Sequence, residues 1–292
     1  MHVLGFPDYE KQTERFATAL NATFQIVQLH RFPDGESLVT LPIEPLPEKV
    51  LVCRSLDQPN DKLVELLLLS SAAREQGAKT LILVAPYLCY MRQDKAFHPG
   101  EIISQKVIGR LLGDLFDGII TVDPHLHRIH SLSTVVPKAA TVVLTAAHLM
   151  GEFIQSHLTN PLLIGPDIES EQWVRTIAQF AHLDYAVANK QRHGDDKVCV
   201  NLPRINVQGR EIVLVDDIIS TGHTIAEATR QLLGAGATKV HCLVTHAIFS
   251  SGAEQQLQQA GIANIWSTDS INHPSNVISL ADLLTTGVRN FN

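Results

Sequence analysis

Short apolar runs rich in Leu, Ile and Val alternate along this chain with longer segments of helical spacing, and that order constrains the fold more than any other feature. A strand buried on both faces reads as a near-continuous apolar run, the mark of a parallel sheet covered by helices on both sides. The expected strands are Lys49–Cys53, Thr80–Ala85, Gly118–Val122, Leu162–Gly165, Glu211–Val215 and Lys239–Thr245. Between the first two the sequence predicts a helix capped by Asn60, with Asp61 facing its dipole. Leu63, Leu66, Leu67 and Ser70 follow at helical spacing, and Gly77 ends the helix. Two more helices are expected, Ile103–Leu115 after a loop from Met91 to Glu101, and Ala146–His157.

A chain of 292 residues is long for a single core, because domains usually hold about 100–150 residues. The expected organisation is therefore α/β with two domains, each a mostly parallel sheet flanked by helices. The division falls at 1–143 and 144–292, near Pro137–Thr145, with the last residues free to pack back on the first domain. No short-period repeat or low-complexity segment interrupts this order.

Composition narrows the function by exclusion. A formal charge of −7 argues against a nucleic-acid partner, since neutralising phosphates needs an excess of Lys and Arg. Cys53, Cys89, Cys199 and Cys242 are far apart and suggest neither a zinc site nor a disulfide framework. The first twenty residues carry charges throughout and lack the apolar core of an export signal. The apolar runs are too short for a bilayer, which needs about 18–20 residues. A cytoplasmic protein with no membrane partner is expected.

In open α/β sheets the ligand lies beyond the carboxyl ends of the strands, and two loops there are chemically loaded. The stronger is Val215-Asp216-Asp217-Ile218-Ile219-Ser220-Thr221-Gly222-His223-Thr224, an apolar strand that delivers two carboxylates and then a hydroxyl-rich turn into a helix. Backbone N–H groups at the helix start, with the Ser and Thr hydroxyls, make a cradle for a phosphate dianion. Asp216 and Asp217 are placed to accept hydrogen bonds from vicinal sugar hydroxyls. A plain strand–turn–helix would use the same pattern, but paired carboxylates at the end of a buried strand are costly without a partner.

This segment resembles the phosphoribosyl-pyrophosphate motif of type I phosphoribosyltransferases and of the diphosphokinases that share their fold. By that resemblance Ser220, Thr221, Gly222, His223 and Thr224 hold a 5-phosphate, and Asp216 and Asp217 hold the ribose hydroxyls. Other segments resemble the ribose-phosphate pyrophosphokinase family within that group. Arg31-Phe32-Pro33-Asp34-Gly35-Glu36 is similar to its early ATP loop, which implies Phe32 stacked on adenine with Asp34 and Glu36 defining the pocket. Pro-Asp-Gly is also an ordinary turn, so this segment gains weight only beside a second one. That is Tyr87 to Lys95, followed by Phe97-His98-Pro99-Gly100-Glu101, where Arg92 would bind the triphosphate through its planar fork. Gln93 and Asp94 would order the pocket around it.

The same resemblance makes His125, in Val122-Asp123-Pro124-His125, and Asp167, in Ile164-Gly165-Pro166-Asp167, the magnesium-linked residues. Histidine is not a usual ligand of hard Mg²⁺, so His125 rests on the surrounding motif alone; His127 and His130 read as surface or packing residues. After Asp167 the chain departs from the family's small residues: Glu169, Glu171 and Trp173 bring charge and bulk. Lys190 and Arg192, in a polar stretch that reads as a flexible flap, resemble the Lys-x-Arg pair that closes over the diphosphate. An exposed charged hairpin is the bland alternative for this stretch.

The implied reaction is attack by the C1 hydroxyl of ribose 5-phosphate on the β-phosphorus of MgATP, giving phosphoribosyl pyrophosphate and AMP, by a homo-oligomer. Ser220 resembles archaeal-type synthases, which implies weak or absent classical control by ADP, and His223 departs from the small residue usual there. Two other readings remain open: a phosphoribosyltransferase, which explains only one motif, and a non-catalytic paralogue that regulates an active synthase.

Overall fold

The computed structural model describes residues 1–42, 45–96, 98–126, 128, 129, 131–193, 197–201 and 205–291, with backbone alone for 189–193 and 197–201. By internal contacts the chain forms two compact units: Met1–Leu144 with Ser270–Asn272 and Ser279–Asn292, and Thr145–Asp269 with His273–Ile278.

The first unit contains strands β1 (His2–Gly5), β2 (Thr23–Ile26), β3 (Gln28–Arg31), β4 (Ser37–Thr40), β5 (Lys49–Cys53), β6 (Thr80–Val84), β7 (Gly118–Val122) and β8 (Ala140–Leu144). Helices α1 (Glu10–Leu20), α2 (Pro59–Glu75) and α3 (Ser104–Leu115) connect them. Six of these strands form one parallel sheet in the order β2-β1-β5-β6-β7-β8, and β3 pairs with β4 as a separate antiparallel hairpin. Its central strands are sealed: Val50 to Cys53 and Leu81 to Val84 are buried throughout. Such strands need helices on both faces, and the order supplies them. The chain steps one way from β1 to β2 and the other way from β5 through β7, so right-handed crossovers put α1 opposite α2 and α3.

The second unit repeats the plan with α4 (Ala147–His157), β9 (Leu162–Gly165), α5 (Glu171–Ala181), β10 (Tyr185–Val187), β11 (Asn189–His193), β12 (Lys197–Asn201), β13 (Glu211–Ile219), α6 (His223–Gly234), β14 (Lys239–Ala247), α7 (Ala253–Ala260), β15 (Asn264–Thr268) and β16 (Asn276–Ile278). Its parallel sheet runs β10-β9-β13-β14-β15-β16, with β11 and β12 as an antiparallel pair. The last helix, α8 (Ala281–Arg289), belongs to the first unit, where Gly287 lets it approach Ile120 and Leu144.

Several local expectations are corrected. Asn60 is not the cap of α2: the helix starts at Pro59, with Gln58 as an N-cap at φ 47 and no side-chain cap. Proline has a preset φ and no N–H to satisfy, which favours the first helical position. Leu67 is exposed, and the buried stripe of α2 is Leu63, Leu66, Leu69, Ser70 and Ala73. Strand β13 runs four residues past Val215 and carries both aspartates, because β14 pairs alongside as far as Ala247. The stretch read as a flap contains paired strands, with Lys190 opposite Val200 and Arg192 opposite Val198.

At the carboxyl ends of β1 and β5 lies a buried ionic network. Arg54, directly after β5 and 3% exposed, stacks on the Phe6 ring at 3.9 Å. It pairs with Asp8 at 3.2 Å and with Glu65 of α2 at 2.6 Å. Lys62 reaches Asp8 and Asp57, each at 2.8 Å, and the Ser55 carbonyl at 2.9 Å. Burial alone would raise the Asp8 carboxyl, but Arg54 and Lys62 overcome it and hold it below its ordinary value. A depressed carboxylate contributes stability above its unfolded pKa and loses it as the pH falls through the folded one. Removing one member leaves buried charge uncompensated. Arg54→Met should therefore lower unfolding free energy by about 3–5 kcal/mol in urea titration, with Arg54→Met/Glu65→Leu recovering part of the loss.

Candidate active site

In the first unit the β3–β4 hairpin presents Phe32. The Phe32 N–H donates to the Glu36 carbonyl at 2.8 Å, and the Gly35 N–H donates to the Phe32 carbonyl at 2.9 Å. Gly35 takes φ 94, open to glycine at no steric cost. The Asp34 carboxylate accepts the Glu36 N–H at 3.1 Å, so this side chain holds the turn. Phe32 remains 41% exposed and touches His30 edge-on at 4.8 Å. A ring left in water at a fixed hairpin tip is suited to stack on a planar ligand. The hairpin is fastened at its base: the Ser37 hydroxyl donates to Glu65 of the ionic network at 2.9 Å, and Arg31 pairs with Asp61 of α2.

The loop after β6 is anchored residue by residue. Tyr90 has φ 62 and donates its hydroxyl to Asn60 at 2.5 Å. Met91 is buried, and its carbonyl accepts the Gln105 side chain at 3.1 Å. The Gln93 side-chain oxygen accepts from the Ser104 hydroxyl at 2.6 Å, and its backbone carbonyl accepts the Gln105 N–H at 3.3 Å. That last bond satisfies a donor of the first turn of α3 that no helical carbonyl can reach. Asp94 is held by Arg128 at 2.7 Å. Arg92, among these, is exposed.

At the end of β7, Asp123 is buried with φ 38, its N–H donating to Leu144 at 2.9 Å, and His125 is partly buried beyond it. His127 and His130 lie outside the described residues, as does Phe97.

In the second unit Asp167 follows β9 and caps a short turn, Ile168–Ser170, accepting the N–H groups of Glu169 at 3.1 Å and Ser170 at 3.3 Å. The Ser170 hydroxyl returns to the Asp167 carbonyl at 2.6 Å. The unusual segment thus has a local structural use, and Trp173, 7% exposed, packs into the core of its unit. Asp217 is 3% exposed, and Asp216 accepts the Asp217 N–H at 2.9 Å. Burial first, then the charges of Asp217 and Asp167, push the Asp216 carboxyl well above its ordinary value. The Asp216 carboxyl is therefore where positive charge brought by a ligand would have the largest effect. After β13, Gly222 (φ 75) stands as the N-cap of α6 with no side-chain cap, and Ser220, Thr221, His223 and Thr224 surround that helix start, Thr221 and His223 exposed. The first N–H groups of α6 have no side-chain cap partner there, and the helix dipole favours an anion.

Lys190 and Arg192 are located by backbone pairing alone, in β11; their side chains, and residues 194–196 of the same stretch, lie outside what the structure describes. Among the described residues no group of three or more His, Cys, Asp or Glu forms a metal cage. An incomplete protein set suits Mg²⁺, which keeps waters and phosphate oxygens among its ligands. Sequence reasoning missed the network of Asp8, Arg54, Asp57, Lys62 and Glu65. Its one visible signal is an arginine placed immediately after an apolar strand.

Residues 1–115 match the family described as the N-terminal domain of ribose phosphate pyrophosphokinase, and residues 138–280 match the phosphoribosyl transferase domain. A ribose-phosphate pyrophosphokinase of Methanopyrus kandleri is 34% identical over 293 residues, 99% of each chain. One of Methanosarcina acetivorans is 35% identical over 290 residues, again 99% of each. The crystal structure of phosphoribosylpyrophosphate synthetase from Mycobacterium smegmatis aligns with a TM-score of 0.86 over 99% of this chain and 98% of its own; at 24% identity it supports the fold.

The raised Asp216 carboxyl has a measurable consequence. An acid whose folded pKa exceeds its unfolded value favours the fold most below the unfolded pKa and progressively less as the pH rises toward the folded one. Asp216→Asn removes that loss and keeps an oxygen for the Asp217 N–H. The variant should melt above the wild type at about pH 8, with the difference closing toward about pH 4, as read by calorimetry without ligands.

Proposed function

Because the chain belongs to the ribose-phosphate pyrophosphokinase family and is a diphosphotransferase, we propose that its donor is ATP taken up with Mg²⁺ and its acceptor ribose 5-phosphate. The β,γ-diphosphate passes to the C1 hydroxyl, giving phosphoribosyl pyrophosphate and AMP. The observation that carries this reading is the β13–α6 junction, where two carboxylates lead directly into a helix start without a side-chain cap.

Each residue has a defined part in this reading. The backbone N–H groups of Ser220 to Thr224 receive the 5-phosphate, and Asp216 and Asp217 accept hydrogen bonds from the ribose 2- and 3-hydroxyls. That fixes C1 for in-line attack and removes the orientational entropy of a bimolecular encounter. In the first unit Phe32 stacks on adenine, Asp34 keeps the turn in shape with Glu36 beside it, and the Arg92 fork takes the triphosphate while Gln93 and Asp94 hold its loop. Lys190 and Arg192 meet the charge that spreads over the diphosphate in flight.

Asp167 fits Mg²⁺ by its oxygen donors and by the negative charge around it, and His125 is the second residue proposed to contact the ion, through the motif it sits in. Bound Mg²⁺ supplies charge neutralisation on phosphate oxygens. Ionisation of Asp216, opposed in the empty protein, is favoured once positive charge is near. No residue of the set is a clear general base, which accords with phosphoryl transfer governed by positioning and electrostatics.

No helix among the described residues is long and apolar enough to cross a membrane. We place the enzyme in the cytoplasm, working as a homo-oligomer of at least two copies. Val64, Leu67 and Leu68 support the second point: they are 52%, 45% and 42% exposed on one face of α2.

Mixing the protein with MgATP and ribose 5-phosphate should yield AMP and phosphoribosyl pyrophosphate in equal amounts by phosphorus NMR. ADP in place of AMP would mean single-phosphoryl transfer, and binding of both substrates without turnover would favour a regulatory paralogue. Lys190→Ala and Arg192→Ala should each lower kcat on the order of a hundredfold. Full turnover in either variant removes that residue from the mechanism.

A further inference from the structure

Arg128 lies three residues beyond His125, on the segment that leaves β7. Its Nη1 donates to both carboxylate oxygens of Asp94, at 2.7 and 2.9 Å. The Asp94 side chain is 4% exposed and that of Arg128 47%. A carboxylate so far withdrawn from water, with both oxygens engaged by one guanidinium, is part of the protein's own framework. It is not presented as a ligand for a nucleotide.

Gln93 is engaged in the same way, through Ser104 and Gln105 at the start of α3. Of the three consecutive residues Arg92, Gln93 and Asp94, two are anchors and one, Arg92, is exposed. The two anchors pull from different elements: Gln93 from α3, and Asp94 from the segment after β7. Strands β6 and β7 are parallel neighbours, so the loops that follow them leave the sheet at the same edge. The Asp94–Arg128 bond is a cross-tie between those loops, one carrying Arg92 and the other His125.

We propose that Arg128 is a positioning residue for the donor nucleotide. Acting through Asp94, it sets the backbone from which Arg92 reaches the triphosphate and fixes that backbone against the His125 segment. The proposal rests on the reading of Arg92 as the triphosphate ligand. Without the cross-tie the loop stays attached at Gln93 and Tyr90, so the fold survives, but the Arg92 fork must be ordered at the moment of binding, and affinity falls.

The test compares Asp94→Asn, Arg128→Gln, Arg128→Lys and the double variant Asp94→Asn/Arg128→Gln in steady-state kinetics, with calorimetric titration of MgATP. The two single variants should raise KM for MgATP roughly five- to tenfold, the scale of a lost charge-assisted hydrogen bond partly transmitted to binding. KM for ribose 5-phosphate should stay unchanged, and Arg128→Gln, which leaves the withdrawn Asp94 carboxylate unpaired, should lower the unfolding temperature more than Asp94→Asn or the double variant does. The double variant should be no worse than either single one, because both remove the same bond. Arg128→Lys should restore most of the affinity, since one cationic donor serves both oxygens.

Loss of MgATP affinity in Asp94→Asn with a normal Arg128→Gln would make Asp94 a direct ligand and overturn the proposal. Multiplying losses in the double variant would overturn it as well, because the two residues would then act separately. Arg92→Ala tests the premise apart from the cross-tie. MgATP binding unchanged in that variant would overturn the nucleotide reading of the loop and the proposal with it, whereas weakened binding there beside normal affinity in Arg128→Gln would overturn the proposal alone.

Discussion

All strands of each large sheet point the same way, and the rest of the structure depends on that constraint. A parallel sheet covered on both faces favours apolar side chains along its strands and accepts polar ones such as His241 and Thr268 only with hydrogen-bond partners, so charged groups are driven to the ends. In both units the carboxyl ends receive it: Asp8 and Arg54 after β1 and β5, the Arg92 loop after β6, His125 after β7, Asp167 after β9, and Asp216 and Asp217 in the last part of β13. Within each unit the loops at these ends lie side by side because their strands are paired neighbours. A chain can therefore bring together groups that are far apart in sequence by fixing only the sheet order.

The charges at these ends fall into two electrostatic kinds. In the ionic network of the first unit every charge has a partner within hydrogen-bonding distance, and the net effect on Asp8 is to favour ionisation. Such a set tolerates burial and works as scaffolding: Glu65 reaches out of it to hold Ser37 at the base of the Phe32 hairpin. On Asp216 in the second unit the balance runs the other way: burial first, then the charges of Asp217 and Asp167, raise its carboxyl. Compensated charge holds the framework; uncompensated charge at a strand end marks where a ligand supplies what the protein lacks.

Much of this was legible in the sequence, for identifiable reasons. Strands β5, β7 and β9 were readable to the residue because continuous apolar runs end abruptly in polar ones. The extension of β13 through Asp216 to Ile219 was not, since its partner β14 is what carries the pairing past two carboxylates. Asn60 looked like a cap because asparagine usually caps; Pro59 set the start instead and left Asn60 to receive Tyr90. Beyond the arginine that follows β5, the ionic network left no signal, because its pairs join Asp8 to Arg54 and Ser37 to Glu65, separations that no local pattern encodes. The turn into α6 was legible because Gly222 and its hydroxyl-bearing neighbours are a purely local arrangement.

The segment after Asp167 illustrates how a departure from a familiar pattern can be structural. Gly165 leaves no room for a side chain, since a Cβ there would lie 2.4 Å from the Ser170 hydroxyl. That hydroxyl is in place to close the capping turn on Asp167, whose Oδ1 is engaged by two backbone N–H groups. These donors hold the Asp167 carboxylate in a fixed place, and after burial and Asp217 its charge is one of the causes that push the Asp216 carboxyl up. The turn thus sets where that charge stands relative to its neighbour. Positive charge arriving there favours ionisation of Asp216, so local capping and ligand binding are coupled through the same carboxylates.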